Sequence, residues 1–325
     1  MKRSWCLLFL MALLILSSLG ALMVGRFSVP AGDVLQALIG DAPTLQQRLI
    51  VDIRLPRVLL ALIVGAGLSG AGAALQFLFR NPLAEPNLLG VSSGAAFGGI
   101  LMMMLIGDGW ALILGALAGG LLALAAVVWL AGSSQNQSSN DTLLLILSGI
   151  VMSALFSAGL SLMKLLADPQ NQLPSIVFWL MGSLAGTDRQ RVLVAMPVIG
   201  CGLMLLWMLR YQLMVITVQG AHTPRLMRAR RLALLAIGFI AAGSVAVCGV
   251  VGWVGLVVPH LVRMTLGQNH RYFLLYTSLA GASYFIAVDT LARTLSAVEI
   301  PLGVLTALLG APMFAGLIQR IRRSQ

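Results

Sequence analysis

The chemically capable side chains of this chain are few, and their spacing speaks for recognition rather than for bond chemistry. His222, His260 and His270 fall at no metal-ligand spacing, and Cys6, Cys201 and Cys248 stand singly in apolar runs, which reads as small core residues. No HExxH, Walker A or GxSxG pattern occurs. The chain is therefore expected to be no enzyme, to bind no cofactor or metal of its own, and to depend on a partner for any use of ATP. What remains is arginines and carboxylates at the ends of apolar stretches. Arg54 and Arg57 flank Leu55-Pro56, and Asp289 and Arg293 stand at i and i+4. Arginine recognises carboxylates through a rigid fork, so Arg54, Arg57 and Arg293 suit docking of an acidic partner. The alternatives are headgroup snorkelling for the first two and a local Asp289–Arg293 ion pair for the third. Residues 80–94, RNPLAEPNLLGVSSG, form the other conspicuous set, with Arg80, Asn81, Glu85, two prolines and a Gly/Ser cluster between apolar segments. Irregular backbone has no water to bond in lipid. This break therefore lies at a membrane surface or lines a polar path.

The elements that hold these residues are membrane spans. Apolar residues make up 59% of the chain and charged residues 10%, with mean hydropathy +0.97, against roughly 25% charged in a soluble domain. Ten spans are predicted, at about 5–25, 57–79, 88–107, 110–131, 142–166, 191–209, 232–252, 254–267, 272–295 and 302–319. The eighth is short. These spans occupy most of the 325 residues, so one transmembrane domain over 1–325 is expected. Met1–Gly25 reads as a retained span rather than a signal peptide, because its apolar run is long and no A-x-A site follows.

The net charge of +11 does not point to nucleic acid. With the N-terminus inside, the inner segments gather most of the arginines, and their acids are Glu85 and Asp141 alone. The outer segments carry Asp33, Asp41, Asp52, Asp108, Asp168, Asp188 and Glu299. This positive-inside bias supports an even number of spans with both termini cytoplasmic.

The connectors carry further expectations. VLQALI at 34–39 reads as a surface helix, and residues 132–141 as a solvated polar loop. SIVFWLMG within 167–190 is too short to span and reads as an interfacial or re-entrant helix anchored by Trp179. In 210–231, Gly220 and Pro224 predict a turn followed by a short basic helix that contacts either anionic lipid or a cytosolic protein. Gly249, Gly252 and Gly255 break the next apolar run into two helices. Glycines within spans, such as Gly65, Gly67, Gly70, Gly72, Gly115 and Gly119, read as close helix packing. The Pro-containing stretches at 80–86 and 257–263 each follow a pair of spans, a faint internal echo in which His260 begins a helix after Pro259.

Five ordered blocks add a resemblance. RLPR at 54–57, GAGLSGAGAALQFLFRNPLAEPNLLGVSSGA at 65–95, GLVVPHLVR at 255–263, VDTLAR at 288–293 and EIPLGVLTALLGAPMF at 299–314 are similar to the FecCD-type permeases. These are the membrane subunits of ABC importers for iron–siderophores, haem and vitamin B12. The resemblance implies a second permease subunit, two cytosolic ATPases that carry ATP and magnesium, and a periplasmic binding protein, all around a bacterial inner membrane. It assigns binding-protein docking to Arg54, Arg57 and Arg293. It assigns a cytoplasmic gate to Asn81, Leu83 and Thr142, and ATPase coupling to Gln219, Gly220, Ala221, His222, Thr223 and Arg225. The family's coupling loop usually carries a Leu-Gly-acidic element, and VQGAHTPRLMRARR lacks the acid.

The resulting expectation is an all-α polytopic permease that moves an iron(III)–siderophore by ATP-driven alternating access. Haem or vitamin B12 is the alternative within the class. An ion-coupled secondary transporter, for which Asp289 is the one mid-membrane acid candidate, is the alternative outside it. An intramembrane enzyme would need a nucleophile or metal set that is missing. Glu85 is left between two roles, pairing with Arg80 or facing the ATPase.

Overall fold

The computed structural model describes residues 3–25, 27–40, 44–132, 139–266 and 272–323, and these contain helices and no β-strand. The connector at 133–138 and His270 lie outside the described residues. In chain order the helices are α1 (Arg3–Met23), α2 (Ala31–Ile39), α3 (Thr44–Gln47), α4 (Leu55–Phe79), α5 (Val91–Leu105), α6 (Trp110–Ala131) and α7 (Ser139–Leu166). They continue with α8 (Gln172–Leu180), α9 (Arg189–Met208), α10 (Arg210–Gln219), α11 (Pro224–Cys248), α12 (Val254–Leu266), α13 (Phe273–Thr294) and α14 (Leu302–Arg323). Among the described residues seven helices are long and apolar enough to cross a membrane. Three shorter apolar segments, Val91–Leu105, Val254–Leu266 and Leu302–Gly316, stand where the other three of the ten spans were expected.

Helix α4 is the axis of the bundle. The apolar window that includes it is 89% buried, against 17% for the window in α7, so α4 is core and α7 is rim. Small residues make this burial possible. A Cβ on Gly72 would lie 1.9 Å from the Gly255 carbonyl oxygen of α12, and one on Gly65 would lie 2.4 Å from that of Gly281 on α13. Backbones therefore touch along α4, the close approach that drives helix association in lipid.

Local signals set the helix ends. Pro56 stands in the first turn of α4, where the π-helical segment Arg48–Arg54 passes into it. Asp188 and Thr223 are N-caps, accepting from the Arg191 and Leu226 N–H groups. In the outer connector before α8, Asp168 accepts from the Gln170 N–H and the Asn171 side chain, which holds its carboxyl below the usual range.

Several expectations change. The basic residues from Arg225 to Arg231 form no separate short helix; they are the first two turns of the 25-residue α11. VVPHLVR is no break, because Pro259 lies inside α12, with His260 following within the helix. A proline frees the carbonyl four residues back. Here that carbonyl is Gly255, and Gln76 Nε2 of α4 reaches it at 3.5 Å. The discontinuity falls instead at 249–253, where the three-glycine pattern placed it. Helix α8 is short, nine residues, as expected of a piece that does not span, but Trp179 is turned into the protein. Its ring packs against Gly99 and its Nε1 is buried. Cys6 and Cys248 are core residues as expected, whereas Cys201 is exposed on α9.

Candidate functional site

Two polar clusters stand at opposite ends of α4. At its start, Arg57 forms a fork on two acids. Nε and Nη2 donate to Asp289 at 2.9–3.1 Å, and Nη1 and Nη2 donate to Glu299 at 2.9 and 3.0 Å. Arg54 donates to the carbonyls of Leu22 at 2.6 Å and Met23 at 3.1 Å, and also to that of Phe27. Arg293 donates to the carbonyl of Ala21, and its Nε lies 3.9 Å from Asp289. Two arginines thus satisfy the last carbonyls of α1, where positive charge also complements the helix dipole. Gly25 passes between them, and a Cβ there would lie 3.0 Å from Arg54 Nη2.

The three arginines predicted for docking therefore converge in one cluster, and each is engaged within the chain. Arg54 is 5% exposed and Arg293 8%. The i,i+4 pair foreseen for Asp289 and Arg293 is at the limit of contact, and Asp289 is held mainly by Arg57, 232 residues away in sequence. Sequence spacing carries no signal for that partner, or for Glu299. The exposed outer ion pair is another one, Arg189 with Asp52 at 2.6 Å.

At the other end, α4 closes with a Schellman turn. Arg80 N–H bonds to Phe77 O, and Asn81 N–H bonds to Gln76 O. The left-handed position of this motif usually belongs to glycine, yet Arg80 holds it at φ 51°. Its guanidinium crosses to α10, where Nε and Nη2 donate to the Ile216 carbonyl at 3.2 and 3.0 Å. Thr217 Oγ1 of α10 donates back to Phe77 O at 3.3 Å. Asn81 Oδ1 accepts from the Leu83 N–H at 2.9 Å, folding residues 81–83 into a tight turn.

A cavity of about 480 Å³ opens beside this turn. Arg80, Asn81, Thr142, Gly220, Ala221 and His222 all contribute to its wall. It brings together two of the three predicted gate residues and half of the predicted coupling set. Leu83 is 45% exposed and lies outside the cavity wall. Gln219, Thr223 and Arg225 are exposed on the surrounding surface, Gln219 ending α10 and Thr223 capping α11.

Glu85 takes neither role foreseen for it. Its Oε1 accepts from the Trp253 N–H at 2.7 Å and from Asn87 Nδ2 at 3.2 Å, so it binds the 80–90 break to the 249–253 break. Arg80 and Trp253 are the two non-glycine residues with left-handed φ among those described, one in each break. Such conformations persist only where surrounding contacts enforce them. Gln76 adds a further tie, accepting from Arg263 of α12 at 2.6 Å. A polar glutamine inside an apolar span was the visible signal for this tie.

Seven helices long and apolar enough to cross a membrane, three shorter apolar helices and two apposed polar breaks define an all-α polytopic membrane protein among the described residues. The sequence profile of the FecCD transport family matches residues 10–320. The chain is 41% identical over 320 residues to the molybdate import permease MolB of Haemophilus influenzae, covering 96% of this chain and 94% of that one. It is 38% identical over 324 residues to the hemin permease HmuU of Yersinia pestis, covering 98% and 96%. A solved metal-chelate type ABC transporter in an inward-facing conformation superposes with a TM-score of 0.87 at 38% identity, covering 97% of this chain and 98% of that one. The chain belongs to the FecCD family of ABC importer permeases, and it is a multi-pass protein of the bacterial inner membrane.

Proposed function

We propose that this permease works in a pair, with itself or a paralogue, and moves an iron(III)–siderophore inward by alternating access. Two cytosolic ATPases, which carry ATP and magnesium, dock on residues 219–225. A periplasmic binding protein delivers the cargo to the outer face around Arg54, Arg57 and Arg293. The observation that carries this reading is the inner cavity, where Asn81 and Thr142 share one wall with Gly220, Ala221 and His222. A displacement of the coupling stretch acts directly on the walls of the inner exit. At the outer face, Glu299, whose side chain is 25% exposed, is the acid that acidic residues of the binding protein would displace from the fork of Arg57.

Among the relatives, one is named for molybdate and another for hemin. Arg80 and His222 are among the described residues of the cavity wall, and such groups suit an anionic cargo. A ferric siderophore complex and a metal oxyanion both meet that condition, so molybdate is the second reading. The ion-coupled alternative loses support, because Asp289 is paired with Arg57. The test is uptake into proteoliposomes that contain the permease, its ATPase and its binding protein. ATP-dependent entry of a radiolabelled ferric siderophore supports the first reading. Entry of molybdate alone selects the second, and uptake that persists without ATPase and binding protein contradicts the importer mechanism.

A further inference from the structure

We infer that Arg80 is the positioning residue that transmits movement of the coupling stretch to the inner gate. The inference rests on the coupling assignment above and names the link within it. Three observations converge on this side chain. First, it occupies a left-handed helix-end position, φ 51°, where an L side chain is disfavoured and glycine is the usual solution. Second, its guanidinium spans from the end of α4 to the end of α10 and forks onto Ile216 O. The Gly220 N–H closes α10 on that same oxygen at 2.9 Å. Third, Gly220, itself left-handed at φ 79°, lies so close that a Cβ there would stand 2.8 Å from Arg80 Nη2.

The consequence follows from where the other bonds go. Asn81 N–H returns to α4, the Leu83 N–H bonds to Asn81, and Ala84 O accepts from Gln76 of α4. Ala84 N–H also returns to Asn81 O, so of the hydrogen bonds described for residues 80–84, those of the Arg80 side chain are the ones that leave this segment and α4. A displacement of 219–225 therefore pulls on Ile216 O and reaches Asn81–Leu83 through the guanidinium. The bond is charge-assisted, at a helix C-terminus where positive charge is favoured. Among the described residues it is also single-sided, a cation on a carbonyl with no carboxylate, so it can re-form on a neighbouring carbonyl of the same turn as α10 shifts.

The test uses the assembled importer in inside-out vesicles, with single reporter cysteines at Leu83 or Arg225 in a chain whose native cysteines are replaced. Both positions are exposed, and the readout is the rate of maleimide labelling with and without ATP plus vanadate. With Arg80 present, both reporters are expected to change rate on nucleotide addition. In Arg80→Gln, the Arg225 reporter should respond as before while the Leu83 response falls at least about fivefold. Arg80→Lys, which keeps the charge but loses the fork, should restore part of it. The retained Arg225 response shows that the variant is folded and docked, which a merely structural role for Arg80 would not leave intact. A full Leu83 response in Arg80→Gln overturns the inference. Loss of both responses in both Arg80 variants overturns it too, by making Arg80 a folding residue. No response at Arg225 with Arg80 present overturns the coupling assignment itself.

Discussion

The two ends of α4 are fastened in opposite ways. At the outer end Arg57 lies between two carboxylates, with 12% of its side chain exposed, and its neighbours Arg54 and Arg293 close the end of α1. At the inner end Arg80 bonds a carbonyl beside an open cavity. A buried ion pair tolerates no loss of a partner, because the remaining charge has nowhere to go. A cation on a helix-end carbonyl can be exchanged with water or a neighbouring carbonyl at little cost. The difference teaches which end is built to stay closed and which to move. Charge-on-charge clamping holds α4, α13 and the segment at Glu299 together, and the buried arginines beside it add the end of α1 through its carbonyls. On the proposed reading, single-sided hydrogen bonding leaves the 81–83 turn free to follow α10.

Graded substitutions sharpen that contrast. Asp289→Asn should be the most damaging, because Asp289 is 2% exposed and serves Arg57 and Arg293 together. A loss of about 3–5 kcal/mol should appear as a large fall in the thermal midpoint of the detergent-solubilised permease. Glu299→Gln removes the more exposed acid and leaves Asp289 on Arg57, so the loss should be on the order of 1 kcal/mol. Binding-protein affinity should change in the same variant, read by surface plasmon resonance. Arg80→Gln should cost about 1 kcal/mol or less in stability while ATP-driven uptake falls at least about tenfold. A large stability loss there would make the two ends alike. Arg189→Ala, at an outer pair whose side chains are 70% and 49% exposed, should stay within about 0.5 kcal/mol. A larger effect would mean that exposed outer charges share the clamping.

Much of the fold was legible in the sequence because lipid imposes it. Span length, loop charge and the glycine pattern at 249–255 report constraints that act residue by residue. Pro259 misled because a proline signals a break only if its freed carbonyl goes unsatisfied, and Gln76 on another helix satisfies it. Trp179 misled for a similar reason: an aromatic at a span end suits the interface, but the side-chain-free surface of Gly99 offered it a seat inside. The candidate site was legible as residue types and not as partners. Arg57 with Asp289, Glu85 with Trp253 and Arg80 with Ile216 are each separated by more than 130 residues. No spacing rule links them. The local hints were a glutamine inside an apolar span and an arginine where a helix end favours glycine.

The central claim is that the outer cluster holds while the inner turn moves with α10. Hydrogen–deuterium exchange on the assembled importer, with and without ATP plus vanadate, tests it without any substitution. Peptides covering 80–90 and 216–226 should change exchange rate together, while those covering 54–57 and 286–293 stay unchanged. A change at the outer peptides with the inner ones silent would contradict the account.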